Sequence, residues 1–289
     1  MAIDLSKLGA VSEPSRFTIS PERALEYAAA TNDPNPAYTS GKYAPPVFAV
    51  VPAFEAMGKA AAATIPPEAM LMIVHGEQDI HLNRALVPGD ELEVTGEAFN
   101  VRVGSTGTRV AFRVACADVK DGSPVLEQYA TLFIRGMSDG ESGGPDKPDH
   151  TFPEEARANK VGSYTVHVDD DQTHRYAKAS GDMNPIHRDE DVAKSVGLPG
   201  IIAHGLCTMA MCSQAVLALA ADKDPARLRR LAVRFSKNVF PGNDVHTTLY
   251  SVGTRDGRSL YAFEAVSPGF GGEPAAADVI KNGWAEVDS

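Results

Sequence analysis

The sequence contains little cysteine, little tryptophan and comparatively few positive charges. Its three cysteines, Cys116, Cys207 and Cys212, are an odd number without the paired spacing of a disulfide framework or a zinc site. There are 27 lysines and arginines against 38 aspartates and glutamates, which gives a formal net charge of −11. Because such a chain repels a polyanion at long range, we expect no nucleic-acid partner.

Targeting and membrane-spanning segments are not evident in the sequence. No window reaches the roughly 20 apolar residues of a membrane span, and no charged leader precedes an apolar run at the N-terminus. The C-terminus lacks a peroxisomal SKL-type signal. We therefore expect a cytoplasmic protein with no membrane partner.

Common metal and nucleotide motifs are missing as well. HExxH, GxSxG and Walker sequences do not occur. The D-x-N sequence at Asp182 suggests calcium, but EF-hand spacing requires an oxygen ligand where Ile186 stands and a glycine where His187 stands. The sequence therefore predicts no metal site.

The two halves of the chain repeat the same signals in the same order. Residues 30–38 read ATNDPNPAY and residues 179–187 read ASGDMNPIH, so D-x-N-P recurs after 149 residues. A Pro-Gly turn followed by an acid recurs after 153 residues, in LVPGDELEV and VFPGNDVHT. Two matches at nearly one offset indicate a tandem duplication. We predict an N-terminal domain at 1–136, a Gly/Pro-rich linker at 137–153 and a C-terminal domain at 154–289.

Each half predicts one apolar helix followed by four β-strands. In the second half, a helix that begins at Gly205 is apolar nearly all round, which predicts a buried helix. Four short β-rich runs follow it, and the first half offers the same order. The predicted fold class is α+β, with antiparallel sheets that each wrap on a long central helix.

The loop SGDMNPIH, at 180–187, concentrates an acid, an amide and an imidazole. A short helix predicted before it stops at Gly181, and the Asn-Pro turn lets Asp182 and His187 converge on one small molecule, with Asn184 fixing the loop or the ligand. An acid and an imidazole that hold one water suit the addition or removal of water across an activated double bond. The simpler alternative is that Asp182 caps a turn and His187 is a loop histidine.

A helix N-terminus follows this loop in the sequence. The amide of Gly205 can stabilise a carbonyl oxygen that becomes an enolate, and the missing side chain admits a close ligand. Five basic residues cluster further on, either along a solvated strand edge or against the phosphates of a nucleotide-like carrier: Arg227, Arg229, Arg230, Arg234 and Lys237.

SGDMNPIH, followed by GIIAHGLCTMA and VRFSKNVFPG, resembles the type 2 (R)-specific enoyl-CoA hydratases, which are MaoC-like dehydratases. The resemblance covers essentially the whole chain. It implies a tandem, or double, hot-dog fold with a degenerate N-terminal and a catalytic C-terminal hot dog. The implied reaction is the reversible syn addition of water to trans-2-enoyl-CoA in fatty acid metabolism, giving (3R)-3-hydroxyacyl-CoA.

The resemblance also implies the site residues. Asp182 and His187 would be the catalytic pair, and the Gly205 amide would take the thioester oxygen. The implied substrate-binding residues are Asn184, His75, Gly76, His204, Phe235 and Arg234. Tyr38 replaces the histidine in the first half, so we expect one site per chain.

The sequence departs from some members of the family at one contact with CoA. The resemblance also leaves the partners and the class of function open. Val103 stands where some relatives have a lysine that contacts CoA, so this contact is absent or supplied by Arg102. We expect no cofactor, because the substrate itself carries coenzyme A or an acyl carrier protein, and a homodimer is an open alternative. A hot-dog acyl-CoA thioesterase and a non-catalytic acyl-thioester-binding subunit remain as alternative functions.

Overall fold

The computed structural model describes residues 2–289, and the chain forms two compact units. Unit 1 comprises the described residues up to Thr18, together with Pro52–Asn83 and Asp90–Asp149. Unit 2 comprises Ile19–Val51, Arg84–Gly89 and His150–Ser289. The first-half loop with its D-x-N-P sequence therefore belongs to the same unit as its second-half counterpart.

Helices and strands follow the duplicated order that the sequence predicts. The helices are α1 (Pro21–Ala30), α2 (Pro36–Thr39), α3 (Val50–Thr64), α4 (Gln172–Ser180), α5 (Glu190–Ser195) and α6 (Gly205–Ala220). The strands are β1 (Ser15–Thr18), β2 (Ile73–Leu82), β3 (Glu91–Gly104), β4 (Gly107–Asp118), β5 (Pro124–Arg135), β6 (Lys160–His167), β7 (Leu228–Phe235), β8 (Asp244–Arg255), β9 (Arg258–Ser267) and β10 (Ala277–Asp288).

Each unit holds five antiparallel strands, and the two sets of strands have the same order. The order is β1-β3-β4-β5-β2 in unit 1 and β6-β8-β9-β10-β7 in unit 2. Replacing every strand of the first set by the strand five positions later gives the second set. This repeat of topology is what a tandem duplication produces.

In unit 1, helix α3 packs on the inner face of the sheet. Ala60 and Ala61 of α3 lie in one buried cluster with Val110 and Phe112 of β4. The helix approaches β3 closely at Gly96, where a Cβ would lie 2.9 Å from a backbone oxygen of α3. Only glycine fits there, because a side chain would displace the helix.

Part of the predicted linker is bound to strand β3 of unit 1. The Asn100 side chain donates to the Pro145 carbonyl at 2.9 Å. The Arg102 guanidinium donates to the Gly143 carbonyl at 2.8 Å and pairs with Asp146 at 2.6 Å. Arg102 therefore holds the linker in place, and these contacts compete with the CoA contact considered for it from the sequence.

In unit 2, helix α6 is the central helix. It packs against β6, β7, β8 and β10, and every residue from Leu206 to Leu217 is buried. This confirms the prediction of a buried helix from its nearly uniform apolar surface.

Strands β1 and β6 are not predicted from the sequence. Both lie at a sheet edge: among the described strands, β1 pairs with β3 alone and β6 with β8 alone. Most residues of β6 are exposed or half-buried. An edge strand of this kind lacks the strict apolar alternation on which sequence prediction depends.

The segment Pro46–Thr64 is long and apolar enough to cross a membrane by length and composition alone, with a mean hydropathy of 1.3. In the structure, 61% of this segment is buried inside the protein. The core helix of a soluble protein passes the same test.

Candidate active site

The candidate loop begins where helix α4 ends. Gly181 has φ +88°, a left-handed conformation that favours glycine, and its N–H donates to the Ala177 carbonyl at 2.9 Å. The Asp182 N–H then donates to Ser180 Oγ at 3.1 Å. The chain therefore leaves the helix in one defined direction, with Asp182 as the second residue beyond it.

Two successive side-chain caps fix the loop itself. Asp182 Oδ1 accepts the N–H of Asn184 at 3.1 Å, and Asn184 Oδ1 accepts the N–H of Ile186 at 3.3 Å. The second bond caps the short 3-10 turn Pro185–His187. Asn184 thus fixes the loop, which was one of the two roles considered for it from the sequence.

A backbone carbonyl sets the tautomer of His187. His187 is buried, and its Nδ1 lies 2.8 Å from the Ile202 carbonyl oxygen, which can only accept a hydrogen bond. Nδ1 therefore carries the proton, and Nε2 of the neutral ring keeps its lone pair. Burial lowers the pKa of His187, although the Ile202 carbonyl and the Asp182 charge act in the opposite direction. The ring is thus held as a neutral base.

The ring of His204 packs directly against the ring of His187. The two rings stack with centroids 3.8 Å apart and planes inclined by 28°. His204 is 1% exposed, and its Nε2–H donates to the Asp182 carbonyl at 3.1 Å. Burial, followed by the neighbouring His187, lowers the pKa of His204 well below its usual value. His204 is therefore neutral. It holds the loop at both functional residues, because its ring stacks on His187 and its Nε2–H donates to the backbone of Asp182.

A pair of buried tyrosines lies next to His204. The Tyr176 ring is 4.9 Å from the His204 ring, and Tyr176 Oη is 3.1 Å from Tyr27 Oη. The Tyr27 hydroxyl donates to the Val47 carbonyl at 3.2 Å, so Tyr176 is the donor between the two phenols. This pair is not predicted from the sequence, although the two tyrosines lie 149 residues apart, which is the repeat offset.

The polar atoms of Asp182, His187 and His204 that face one another all lie within 4.8 Å. One water molecule can bridge two such groups, since each hydrogen bond spans about 2.8 Å. A metal ion is the other ligand that such a trio suggests. One nitrogen of each ring already contacts a carbonyl, so the other nitrogen keeps its lone pair. Acid-base chemistry on a water needs one such basic nitrogen beside the carboxylate, and His187 Nε2 supplies it.

Helix α6 begins immediately after His204. Gly205 is its first residue, so its N–H has no acceptor within the helix. A Cβ on Gly205 would lie 3.2 Å from the Phe235 ring of β7. Phe235 therefore packs against the glycine, and an amide at the positive end of the helix lies beside the acid-imidazole loop.

The remaining predicted residues lie on strands. Arg234 is exposed on β7, opposite Lys281 of β10. His75 and Gly76 lie on β2 of unit 1, where the strand has a bulge and His75 Nε2 is 3.1 Å from the Glu77 carbonyl. Seven of the nine predicted site residues therefore lie in unit 2, and the other two, His75 and Gly76, lie in unit 1.

Three of the five clustered basic residues have acidic partners inside unit 2. The pairs are Arg227 with Asp222 at 2.5 Å, Arg229 with Asp288 at 2.6 Å, and Arg230 with Glu286 at 3.5 Å. Arg234 and Lys237 are exposed and form no ion pair with the residues that the structure describes. The carrier-phosphate interpretation therefore applies to the last two residues only.

The first-half loop keeps the turn and lacks the imidazole. Asp33 accepts the N–H of Asn35 at 3.1 Å, as Asp182 does for Asn184. Tyr38 stands in the histidine position, is 3% exposed, and its hydroxyl has no hydrogen-bond partner within residues 2–289. Helix α3 continues from the 3-10 turn Pro46–Ala49, and the Val50 N–H donates to carbonyls of that turn, whereas the Gly205 N–H has no acceptor within α6. The acid is thus kept in this half, while the imidazole is replaced and the first amide of the helix is already hydrogen-bonded.

Asp33→Asn is expected to stabilise the protein at neutral and alkaline pH. Burial raises the pKa of Asp33 to about 6. The half-buried carboxylate therefore destabilises the fold fully above pH 6, and protonation relieves this cost as the pH falls toward the unfolded pKa near 4. Asparagine keeps the acceptor for the Asn35 N–H. The melting temperature should rise by several degrees at pH 8, roughly 2–4 °C per kcal/mol, and by much less at pH 4.5. An equal rise at both values would show that Asp33 is not the group concerned.

A duplicated sheet-and-helix fold with one acid-imidazole loop beside a helix N-terminus defines a double hot-dog hydro-lyase. The model of the MaoC like domain matches residues 154–267, and that of the FAS1-like dehydratase domain region matches residues 6–128. The chain is 32% identical to 3-hydroxyacyl-thioester dehydratase Y of Mycobacterium tuberculosis, over 97% of this chain and 96% of that protein. The chain therefore belongs to the MaoC-like dehydratase family.

Two further similarities agree with this membership. The chain is 29% identical to a probable enoyl-CoA hydratase 2 of Dictyostelium discoideum, over 63% of this chain and 62% of that protein's length. The crystal structure of a MaoC-like dehydratase from Phytophthora capsici superposes with a TM-score of 0.81 at 25% identity, covering 99% of this chain and 97% of that one. The predicted α+β double hot-dog fold is confirmed.

Proposed function

We propose that this protein is an (R)-specific enoyl-CoA hydratase, which reversibly adds water to trans-2-enoyl-CoA to give (3R)-3-hydroxyacyl-CoA. Its membership of the MaoC-like dehydratases supports hydro-lyase chemistry, and its relatives include proteins named as an enoyl-CoA hydratase and a 3-hydroxyacyl-thioester dehydratase. The observation that carries the proposal is the approach of Asp182 and His187 to within 4.8 Å beside the first amide of α6.

In the proposed mechanism, Asp182 and His187 hold one water between them. The Asp182 carboxylate accepts a hydrogen bond from the water, and His187 Nε2 accepts the other. As the water oxygen bonds to C3 of the enoyl group, His187 takes its proton. The imidazolium then returns that proton to C2. Because both bonds form on the side of the substrate that faces this loop, the addition is syn.

The Gly205 amide stabilises the charge that develops on the thioester oxygen. When C3 accepts the water oxygen, the C2=C3 electrons move toward the carbonyl, which becomes an enolate oxygen. The N–H at the start of α6 donates to this oxygen, and removing one such donor typically costs about 2.7–4 kcal/mol of transition-state stabilisation. We therefore propose that the reaction needs no cofactor.

The hydration rate is expected to persist at mildly acidic pH. His187 must be neutral to take the proton of the water, and burial lowers the pKa of His187 below its ordinary value near 6.5. The value of kcat/KM should therefore be flat from about pH 8 to 6.5 and fall only as the pH drops through the lowered pKa. An acidic limb with its midpoint above pH 7 would contradict the assignment of His187 as the base.

Loss of the ultraviolet absorbance of the enoyl thioester tests the proposed function. Purified protein added to crotonyl-CoA should remove this absorbance without releasing free thiol. Thiol release, detected with Ellman's reagent, would favour a hot-dog thioesterase. Saturable binding of crotonyl-CoA with no turnover would favour a non-catalytic acyl-thioester-binding subunit.

A further inference from the structure

Phe270 is a large, exposed aromatic side chain on a glycine-rich loop of unit 2. It lies between β9 and β10 in the sequence PGFGGEP and is 53% exposed, whereas most aromatic rings of the described chain are buried or half-buried. Phe240 supports it, with ring centroids 5.3 Å apart and planes inclined by 69°. The Phe240 ring thus fixes the Phe270 ring by an edge-to-face contact while much of Phe270 faces solvent.

The chain segment that leads into the candidate site contacts Phe270. A Cβ on Gly200 would lie 3.1 Å from the Phe270 ring, so the absence of a side chain lets the ring approach. Residues 200–204 then run from this contact to His204, which precedes Gly205 at the start of α6. The Ala203 N–H donates to the Val239 carbonyl at 2.8 Å, which joins this segment to the loop that carries Phe240.

Two cationic side chains lie next to Phe235 in the sequence, one at the end of β7 and one on the loop that leads to Phe240. Phe235 contacts Gly205, and Phe240 contacts Phe270. Arg234 and Lys237 flank Phe235, are exposed, and have no acidic partner in the described chain. The chain from Phe235 to Phe240, which is five residue steps, spans at most about 18 Å. An aromatic platform and two cations thus lie within a short distance of the reacting end, on a protein whose net charge is −11.

We infer that Phe270, Arg234 and Lys237 form the docking site for the nucleotide part of coenzyme A. The adenine stacks on the exposed face of Phe270, and the phosphates pair with Arg234 and Lys237. The pantetheine arm then follows the loop past Phe235 to the thioester carbonyl at Gly205. This inference rests on the proposed function, because it assigns the carrier of the same substrate. A docking site of this kind favours coenzyme A over an acyl carrier protein as the carrier of the acyl group.

Two thioesters that differ only in the nucleotide test this inference. Crotonyl-CoA contains it and crotonyl-pantetheine does not. A stacked base is worth roughly a fivefold to hundredfold gain in binding. Phe270→Ala should therefore lower kcat/KM for crotonyl-CoA by about that factor, mainly through KM, and leave crotonyl-pantetheine within about twofold of the unmodified protein. Phe270→Trp should retain the preference for crotonyl-CoA, because the larger ring also stacks.

Val161→Ala is the matched control, since Val161 is an exposed apolar residue of β6 in the same unit. It should leave both substrates unchanged. Equal losses of kcat/KM on both thioesters in Phe270→Ala would mean that Phe270 serves the fold alone. No change on either thioester would also overturn the inference, as would a wild-type protein that prefers crotonyl-acyl carrier protein and does not distinguish the two small thioesters.

Direct binding separates this inference from the proposed function. The dissociation constant of coenzyme A itself, measured by titration calorimetry, should rise in Phe270→Ala by the same factor by which kcat/KM falls. This reading does not depend on turnover. If the wild-type protein hydrates neither thioester, the proposed function fails, and an unchanged dissociation constant in Phe270→Ala would then refute the docking site independently.

Discussion

Asp182→Asn is expected to lower kcat for the hydration of crotonyl-CoA by about 10²–10⁴. Asparagine is the same size and still offers an oxygen to the N–H of Asn184, so the loop should keep its shape. The loss comes from the charge: a neutral amide holds the water weakly and does not balance the imidazolium that forms on His187. The melting temperature of this variant should stay close to that of the unmodified protein.

The duplicated loop supplies a matched control for this substitution. Asp33→Asn makes the same change 149 residues earlier, at an aspartate that accepts the equivalent N–H. It should leave kcat unchanged while it stabilises the fold at pH 8. If both variants lost activity equally, or if Asp182→Asn kept near-normal turnover, the assignment of the chemistry to the second loop would be wrong.

His187→Asn is expected to lower kcat by a similar factor of about 10²–10⁴. The asparagine amide can still donate to the Ile202 carbonyl, but it has no basic nitrogen at the position of Nε2. The remaining activity should lose the part of the acidic limb that follows the His187 pKa, because asparagine does not titrate. Any limb that remains should lie lower, since burial lowers the pKa of the neighbouring His204 to about 4.

Tyr38→Phe is the control for His187→Asn, because Tyr38 occupies the corresponding position of the first loop. Its buried hydroxyl has no hydrogen-bond partner in the described chain, so its removal should cost no stability. Activity and pH profile should both remain those of the unmodified protein. An acidic limb that stayed at the same pH in His187→Asn would place the titrating base elsewhere.

Local signals in the sequence were sufficient for much of the second half. Gly181 ends α4 because it adopts the left-handed conformation, and the apolar surface of α6 predicts its burial. The loop from Asp182 to His187 was recognisable because its caps are made by neighbouring side chains. Features that depend on contacts within a few residues could therefore be predicted.

Features that depend on distant contacts could not be predicted from the sequence. The tautomer of His187 is set by the carbonyl of Ile202, which lies 15 residues away. The phenol pair of Tyr27 and Tyr176 joins positions 149 residues apart. The acidic partners of Arg229 and Arg230 likewise lie on β10, and only the folded sheet brings them near. Spacing along the chain contains no information about such contacts unless a repeat reveals it.

The loops at Asp33 and Asp182 share the turn and differ in the groups proposed for the chemistry. This difference is expected if the fold requires the turn in both halves and the reaction requires further groups in one. Asp33 and Asp182 both cap an Asx turn, so the acid alone has a structural role in each. The second loop adds an imidazole held by a carbonyl, and the Gly205 N–H has no acceptor within α6, whereas the Val50 N–H of α3 donates to the preceding 3-10 turn. We attribute activity to this combination rather than to the acid alone.

Hydration of crotonyl-CoA in D₂O, followed by analysis of the product, tests this account most directly. The account predicts (3R)-3-hydroxybutyryl-CoA with one deuterium at C2, added on the same face as the hydroxyl group, because one loop delivers both. A 3S product, or deuterium on the opposite face, would contradict the proposal that Asp182 and His187 add water from one side of the substrate.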